Sequence, residues 1–406
     1  MKILGISAFY HDSAAAYIEH GVIIAAAQEE RFTRIKHDPA FPTNAVRYCL
    51  SEAGVQLSDL DAIVFYDKPL LKMERLLETY YAFSPKGLFS FLTAIPVWLK
   101  EKMFLKRMLY DELFAIQKFD KKQVKLLFPE HHLSHAASAF YPSPFEDAAI
   151  LTLDGVGEWA TASIGHGKGK QLSILKELKF PHSLGLLYSA FTYFLGFKVN
   201  SGEYKLMGLA PYGRHGSAEV EKYKTLIREV LVKIKPDGSI WLNQEYFNYA
   251  TGLRMVHDTK WEALFGFPTR ESESNLEQKH CDLGLAIQEI TEEIVILMAQ
   301  EAKRLTGSKA CVLAGGVALN CVANGKLKDA GIFEEVFIQP AAGDAGGALG
   351  AALAAHYIYF DQERNIDLNK MDAMSGSYLG PSYSDKEIEQ MAKQHQAVFT
   401  HHEDFA

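Results

Sequence analysis

The stretch from Ile150 to Ala162 aligns without gaps on the stretch from Ile3 to Ala15. In each copy an apolar strand-like run meets a polar turn, then a small-residue strand. A Gly-containing hairpin follows, at His20-Gly21 in the first copy and at Gly165–Gly169 in the second. Helix-patterned sequence comes after both. Two copies of one strand–turn–strand–hairpin–strand unit predict an internally duplicated α/β protein with a cleft between its halves. Two polar turns flanking one cleft suit the phosphate chain of a nucleotide.

The chain between and beyond the copies completes that outline. Lys2–Ala8 reads as a buried strand, the turn at Phe9-Tyr10-His11-Asp12 follows it, and Ala14–Glu19 with Val22–Gln28 forms a hairpin. Thr43 is the expected N-cap of a helix that stops at Gly54, and Ala62–Phe65 is a short strand. Leu70 to Lys125 is mostly helical by pattern. Within it Lys100, Lys102, Lys106 and Arg107 recur beside Trp98, Phe104 and Leu109, which suits a solvated amphipathic helix better than a docking face. Ser201–Gly213 is a glycine-punctuated loop holding Glu203 and Lys205, read as a ligand loop rather than a plain turn. Gly213 to Thr269 reads as an insertion without legible chemistry. Leu285–Leu305 is a long amphipathic helix stopped by Gly307, and Val336–Gln339 is the last strand of the second half. Ser384-Asp385-Lys386-Glu387 is a capping box opening a helix to Gln394, with a strand expected over Ala397–Thr400.

Candidate chemistry sits at three places. Helical spacing puts His131 and His135 on one face, one turn apart, able to converge on a single cation, while His132 points about 100° away. Two histidines are half a coordination shell, and the same spacing also suits a partly buried helix with a surface histidine cluster. The strand Ala310–Leu313 opens into Gly315-Gly316-Val317-Ala318-Leu319-Asn320, where paired glycines let backbone amides approach a ligand. Asp344 falls in the first turn of a small-residue helix, where an anion can project into the cleft and meet a cation; a surface N-cap is the other reading.

Composition narrows the partners. The 406 residues carry a net charge of -8, which argues against bulk binding to nucleic acid or to an anionic membrane. Cys49, Cys281, Cys311 and Cys321 form no C-x-x-C pair, so reduced thiols in a cytoplasmic protein are expected. Met1-Lys2 runs straight into a strand, and no signal peptide is read there. The longest apolar run, Gly87 to Leu99, has 13 residues and is too short to span a bilayer.

Taken together these motifs resemble the NodU/CmcH-type O-carbamoyltransferases. The matching features are Phe9-Tyr10-His11-Asp12 with Ala14-Ala15-Ala16, Glu29-Glu30-Arg31-Phe32, His131-His132-x-x-His135 and Leu153-Asp154-Gly155-x-Gly157-Glu158. Further along come Lys205-Leu206-Met207-Gly208-Leu209-Ala210, Gly315-Gly316-Val317-Ala318-Leu319-Asn320 and Gly343-Asp344-Ala345-Gly346, in the family's order up to Ala354. The resemblance implies the duplicated actin/heat-shock chaperone/sugar kinase fold, with ATP in the cleft beside an Fe(II) ion. It implies that His131 and His135 ligate the metal together with Asp344 and Asp154. It implies Asp12 as the general base that takes the acceptor hydroxyl's proton, with His11 positioning it. Gly155, Gly157, Gly315, Gly316 and Asn320 would line the nucleotide, and Lys205 would reach a phosphate.

The expected division is a first half over residues 1–147 with a helical insertion near 70–125, and a second half over 148–365 with an insertion near 213–269. Residues 366–406 are read as a linker and the start of a YrdC-like domain, the part that makes carbamoyl adenylate from carbamoyl phosphate and ATP in the family. The chain would then hold the transfer half, acting on a hydroxyl of a small-molecule acceptor. A homodimer is compatible with this reading. Two alternatives stay open: a sugar-kinase-like phosphotransferase, which needs Mg²⁺ held through carboxylates and water, and a nucleotide-binding module without catalysis.

Overall fold

The structure is a computed structural model that describes every residue except 94, 96–103, 368, 401 and 403–406. Its frame is two five-stranded sheets. The first contains β1 (Lys2–Ser7), β2 (Ala14–Glu19), β3 (Val22–Gln28), β4 (Ala62–Phe65) and β5 (Lys125–Leu127), in the order β3-β2-β1-β4-β5. The second contains β6 (Asp147–Leu153), β7 (Ala160–Lys168), β8 (Gln171–Lys179), β11 (Ala310–Ala314) and β12 (Glu335–Ile338), in the order β12-β11-β6-β7-β8. Each begins with an antiparallel meander of three strands, with Gly5 opposite Ala16 in one and Leu151 opposite Ile164 in the other. Each is then extended by two parallel strands on the far side of the first. The two sheets share one topology, which is the duplicated actin/heat-shock chaperone/sugar kinase arrangement.

Parallel central strands covered on both faces need apolar residues at every position rather than every second one. Ile3, Leu4 and Ile6 of β1, all of β4 and all of β11 are accordingly buried. The segment 213–269 contributes a short hairpin, β9 (Val232–Ile234) with β10 (Ile240–Leu242), and a helix whose Trp261 packs edge-on against Phe191 at 4.8 Å. Its readable role is to close the second core.

One helix ties the halves together. Asp344–Ala354 leaves the second sheet after β12 yet lies on β1, β2 and the histidine helix His131–Phe140 of the first. The approach is too close for side chains. A Cβ on Gly350 would stand 1.8 Å from the Ser134 carbonyl oxygen, and one on Gly5 would stand 1.9 Å from that of Ala348. The small-residue run is therefore a backbone-to-backbone seam.

Several expectations change. Thr43 makes no side-chain cap and is the first residue of its helix, which runs to Ala53. The capping oxygens come instead from buried Glu29, which accepts from the amides of Asn44 (3.1 Å) and Ala45 (2.8 Å). A carboxylate at a helix N-terminus also answers the macrodipole, which a threonine cannot. The expected loop at 201–213 is helical over Glu203–Leu209, followed by a 3₁₀ turn at Ala210–Tyr212: Gly202 and Gly213 bound the two turns, and Gly208 is accommodated within the helix. Gly165 lies inside β7, so the second hairpin turns at Gly169-Lys170. Ala397–Thr400 forms no strand, with Val398 fully exposed and no ladder partner. Strand β5 was not anticipated from the sequence. Of the basic helical stretch, Trp98, Lys100 and Lys102 lie outside the described residues, and Lys106 and Arg107 sit on Leu105–Ile116. No described helix is long and apolar enough to cross a membrane.

The seam predicts opposite outcomes for two glycine substitutions. Gly350→Ala is expected to lower stability by about 1–3 kcal/mol through overpacking. Gly325→Ala, in the helix Cys321–Asp329 with nothing within 4 Å of the added Cβ, is expected to be neutral or to stabilise by about 0.5–1 kcal/mol. Urea denaturation of the two variants checks both signs.

Candidate metal centre and catalytic turn

His131 and His135 are one helical turn apart and their Nε2 atoms approach to 3.1 Å, with both rings buried. Asp154 ends β6 and puts Oδ2 3.2 Å from His131 Nε2 and 4.0 Å from His135 Nε2. Asp344 opens the crossing helix and puts Oδ1 3.5 Å and 3.6 Å from the same two atoms. Four donors from three elements thus converge, all within 4.8 Å of one another. Atoms bound about 2.1 Å from one ion stand about 3 Å apart at right angles and about 4 Å apart when opposite. The measured spacings match such a shell, and the donor set of two imidazoles and two carboxylates suits Fe(II), Mn(II) or Zn(II).

Electrostatics point the same way. Asp344 is 3% exposed and Asp154 9%, so two negative charges are held out of water. Burial opposes ionisation of Asp154, but the His131 hydrogen bond and the charges of His135 and His131 hold it well below the usual carboxylate range. Burial opposes Asp344 similarly, and His131, His135 and His11 keep it low. Such a pair needs cationic partners. His132 is not among them. Burial, with His131 beside it, pulls His132 down to about 3, and its Nδ1 meets the Thr152 hydroxyl at 2.7 Å.

Neighbouring groups fix the donors. Gly316 donates its amide to Asp154 Oδ1 at 3.0 Å, and a Cβ there would crowd the same oxygen at 3.1 Å. Gly315 has φ +92°, a backbone only glycine adopts freely, and lies against the Leu153 carbonyl. Gly157 abuts the rings of His131 and His132, where a Cβ would stand 3.0 and 2.9 Å away. Gly155 faces open space. The four glycines expected at the nucleotide are therefore gathered around Asp154. Asn320 is not free to join them through its side chain: it pairs twice with Gln288 and caps its helix through Ala323. Lys205 is exposed on Glu203–Leu209 and makes no ion pair with a described residue.

Asp12 and His11 lie on the first turn, beside this cluster. His11 Nδ1 donates to Asp12 Oδ2 at 2.8 Å, and its Nε2 stands 3.8 Å from Asp344 Oδ2. One imidazole thus spans the two carboxylates. Burial alone would suppress its charge, but the Asp12 hydrogen bond and the Asp344 and Asp12 charges push His11 up to about 9. Burial raises Asp12, yet bonds from His11 and His37 leave it below its ordinary value. Asp12 is ionised at neutral pH.

Sequence reasoning did not assign Glu158, Tyr66, Lys72 or Arg75. Glu158 accepts from the His131 amide at 3.0 Å and from the Lys68 amide at 2.7 Å, capping the histidine helix. Tyr66 donates to Asp344 Oδ2 at 3.3 Å. Lys72 pairs with Asp67 under the Tyr10 and Tyr66 rings, and Arg75 donates to the Gly157 carbonyl at 2.7 Å. Glu158 stood in a quoted motif; the other three sit in sequence that reads as an ordinary strand end and helix.

Sheet order and cluster define the class: a duplicated ATPase-type fold with a metal-competent site of two histidines and two aspartates where its halves meet. The family profile described as Carbamoyltransferase N-terminus matches residues 2–353, and the chain belongs to that carbamoyltransferase family. It is 55% identical over 405 residues to an uncharacterised protein of Synechocystis, covering 99% of this chain and 64% of that one. It is 38% identical over 348 residues to nodulation protein NolNO of Sinorhizobium fredii, covering 85% and 46%. The chain thus spans about half to two thirds of these relatives' length. Among solved structures, HypF of T. kodakarensis matches with TM-score 0.46 and 16% identity over 89% of this chain and 48% of that one. The hexokinase of Thermus thermophilus matches with TM-score 0.38 and 14% identity over 89% and 100%. Likenesses this slight add nothing to the sheet order.

Protein purified without chelators is expected to carry one equivalent of a divalent transition metal by elemental analysis. His131→Ala should abolish it, and Tyr66→Phe should weaken retention roughly tenfold in chelator competition. In metal-free protein, the His11 ring should titrate by NMR near 9 and fall toward its ordinary value in Asp12→Ala. Since the folded value lies above the unfolded one, the stability His11 contributes is full below pH about 6.5 and lost as pH rises through about 9.

Proposed function

We propose that this chain carries the transfer half of an ATP-dependent O-carbamoyltransferase, moving a carbamoyl group onto a hydroxyl of a small-molecule acceptor. The observation that supports it most is the junction of an ionised, doubly hydrogen-bonded Asp12 with the four-donor cluster through His11. In this reading residues 1–147 and 148–365 are the two halves. Residues 366–406 lead toward a YrdC-like unit where carbamoyl phosphate and ATP yield carbamoyl adenylate. A cytoplasmic setting with four reduced thiols belongs to the same reading.

His131, His135, Asp154 and Asp344 would hold Fe(II). When bound, the ion supplies Lewis acidity toward the anionic donor. The remaining work falls to side chains. The acceptor hydroxyl oxygen forms a bond to the carbamoyl carbon while the bond from that carbon to the adenylate oxygen breaks, its electron pair leaving with AMP. The hydroxyl proton passes to the Asp12 carboxylate. His11 holds Asp12 by one oxygen, and its other nitrogen is turned toward the cluster. Gly155, Gly157, Gly315 and Gly316 are the residues assigned to the nucleotide, through the close approach their missing side chains allow, since the amides of Gly157, Gly315 and Gly316 are taken by Ala160, Ala342 and Asp154. Lys205, exposed and without an ion pair among the described residues, is the one assigned to a phosphate.

The test supplies metal-loaded protein with carbamoyl adenylate and a panel of polyols and sugars, following carbamoylated product by mass spectrometry. Product is expected with the wild type, and Asp12→Ala should bind nucleotide while losing transfer by roughly 10²–10⁴-fold. Mg²⁺-dependent phosphorylation of a sugar that survives His131→Ala would instead make the chain a kinase.

A further inference from the structure

Asp12 has φ +54° and His37 has φ +57°, a left-handed backbone that residues with a Cβ adopt at a cost. The two side chains meet, with His37 Nδ1 2.7 Å from Asp12 Oδ1. Strain therefore sits at both ends of one hydrogen bond. Phe9, three residues before Asp12, is left-handed as well, at φ +70°. Backbone strain concentrated on one contact is a reason to ask what the contact does.

The loop carrying His37 does not need that contact for its own placement. Phe9 donates its amide to the Pro39 carbonyl at 2.9 Å, and Ser13 donates to that of Asp38 at 3.0 Å. Thr33 donates its hydroxyl to Asp38 at 2.8 Å, and the His37 amide donates to Glu30 at 2.9 Å. The first two bonds clip the loop to the turn at residues 9–13, and the other two brace it against the helix Glu30–Thr33. The His37 ring is left over: its Nδ1 goes to Asp12, and its buried Nε2 has no hydrogen-bond partner among the described residues.

We propose that His37 is a positioning residue for the transfer reaction, fixing the plane of the Asp12 carboxylate. This rests on the proposed role of Asp12 as base. With His11 alone, the carboxylate would be held by Oδ2 and free to turn about its own axis. With His37 on Oδ1 each oxygen has one donor, and the lone pairs left over point in set directions. Proton transfer requires that placement to within hydrogen-bond reach, and a misplacement of an ångström is felt in kcat rather than in binding. Because Asp12 is ionised, His37 must carry its proton on Nδ1 to donate.

Two substitutions separate positioning from folding. His37→Gly relieves the left-handed strain and removes the ring; His37→Asn tolerates the same backbone and places its amide N–H where Nδ1–H stood. On the metal-loaded chain given carbamoyl adenylate, His37→Gly is expected to keep or raise the melting temperature and leave KM unchanged. Its kcat should fall roughly 10–100-fold, and His37→Asn should restore most of the loss. Turnover by His37→Gly equal to wild type, or a loss in His37→Asn as deep as in His37→Gly, would overturn the proposal. A second readout does not depend on turnover. Imidazole ¹H–¹⁵N correlation should find His37 as the Nδ1–H tautomer, relaxing to a mixture in Asp12→Ala. That result in a protein with no carbamoyl transfer would sink the assignment of activity and leave the lock standing. A tautomer indifferent to Asp12→Ala would sink the lock itself.

Discussion

The contact on which the site depends is Gly350 against the Ser134 carbonyl. A helix that starts in one half must lie on the sheet of the other for Asp344 to reach His131 and His135. At ordinary interhelical distance the aspartate would stop short of them. Gly5, Gly347 and Gly350 remove the side chains that would hold the helix off β1, Tyr66 and the histidine helix. Close packing thus delivers the fourth donor.

That delivery carries an electrostatic cost, because it puts Asp344 beside Asp154 away from water. The imidazoles hold both carboxylates ionised, and the site is arranged so that a cation meets lone pairs from four atoms at once. His11 extends the same charge balance to the neighbouring turn. Asp12 and the four clustered side chains are therefore one coupled network.

The duplication could be read because its signal is local: a strand, a polar turn and a small-residue strand recur within thirteen residues. Both sheets then take one order. The pairing of His131 with His135 could be read for the same reason, as helical spacing fixes it. Asp344 could be placed in a first turn, but only the fold brings its helix across the halves. Glu29 defeated the reading of Thr43, since a cap supplied from another element leaves no trace beside the helix it serves. Asn320 was assigned to the nucleotide through the resemblance alone, and its side-chain partner Gln288, 32 positions away, could not be read beside it. Nothing in the order of residues announced His37 or Tyr66, whose importance lies wholly in what the fold sets opposite them. The two halves also diverged: at the offset of the repeat, Asp154 aligns with Ser7, so the aspartates at the two turns are not counterparts.

Glu158 joins three pieces that are remote in the chain. Its own turn follows β6, and its carboxylate holds the first amide of the histidine helix and the amide of Lys68 just ahead of the helix Pro69–Phe83. Arg75 of that helix returns the contact by binding the Gly157 carbonyl. Turn, histidine helix and the helix Pro69–Phe83 are thus tied together by three hydrogen bonds. The hydrogen-bonded path from the helix Pro69–Phe83 to the histidine helix runs through Glu158 and crosses neither sheet.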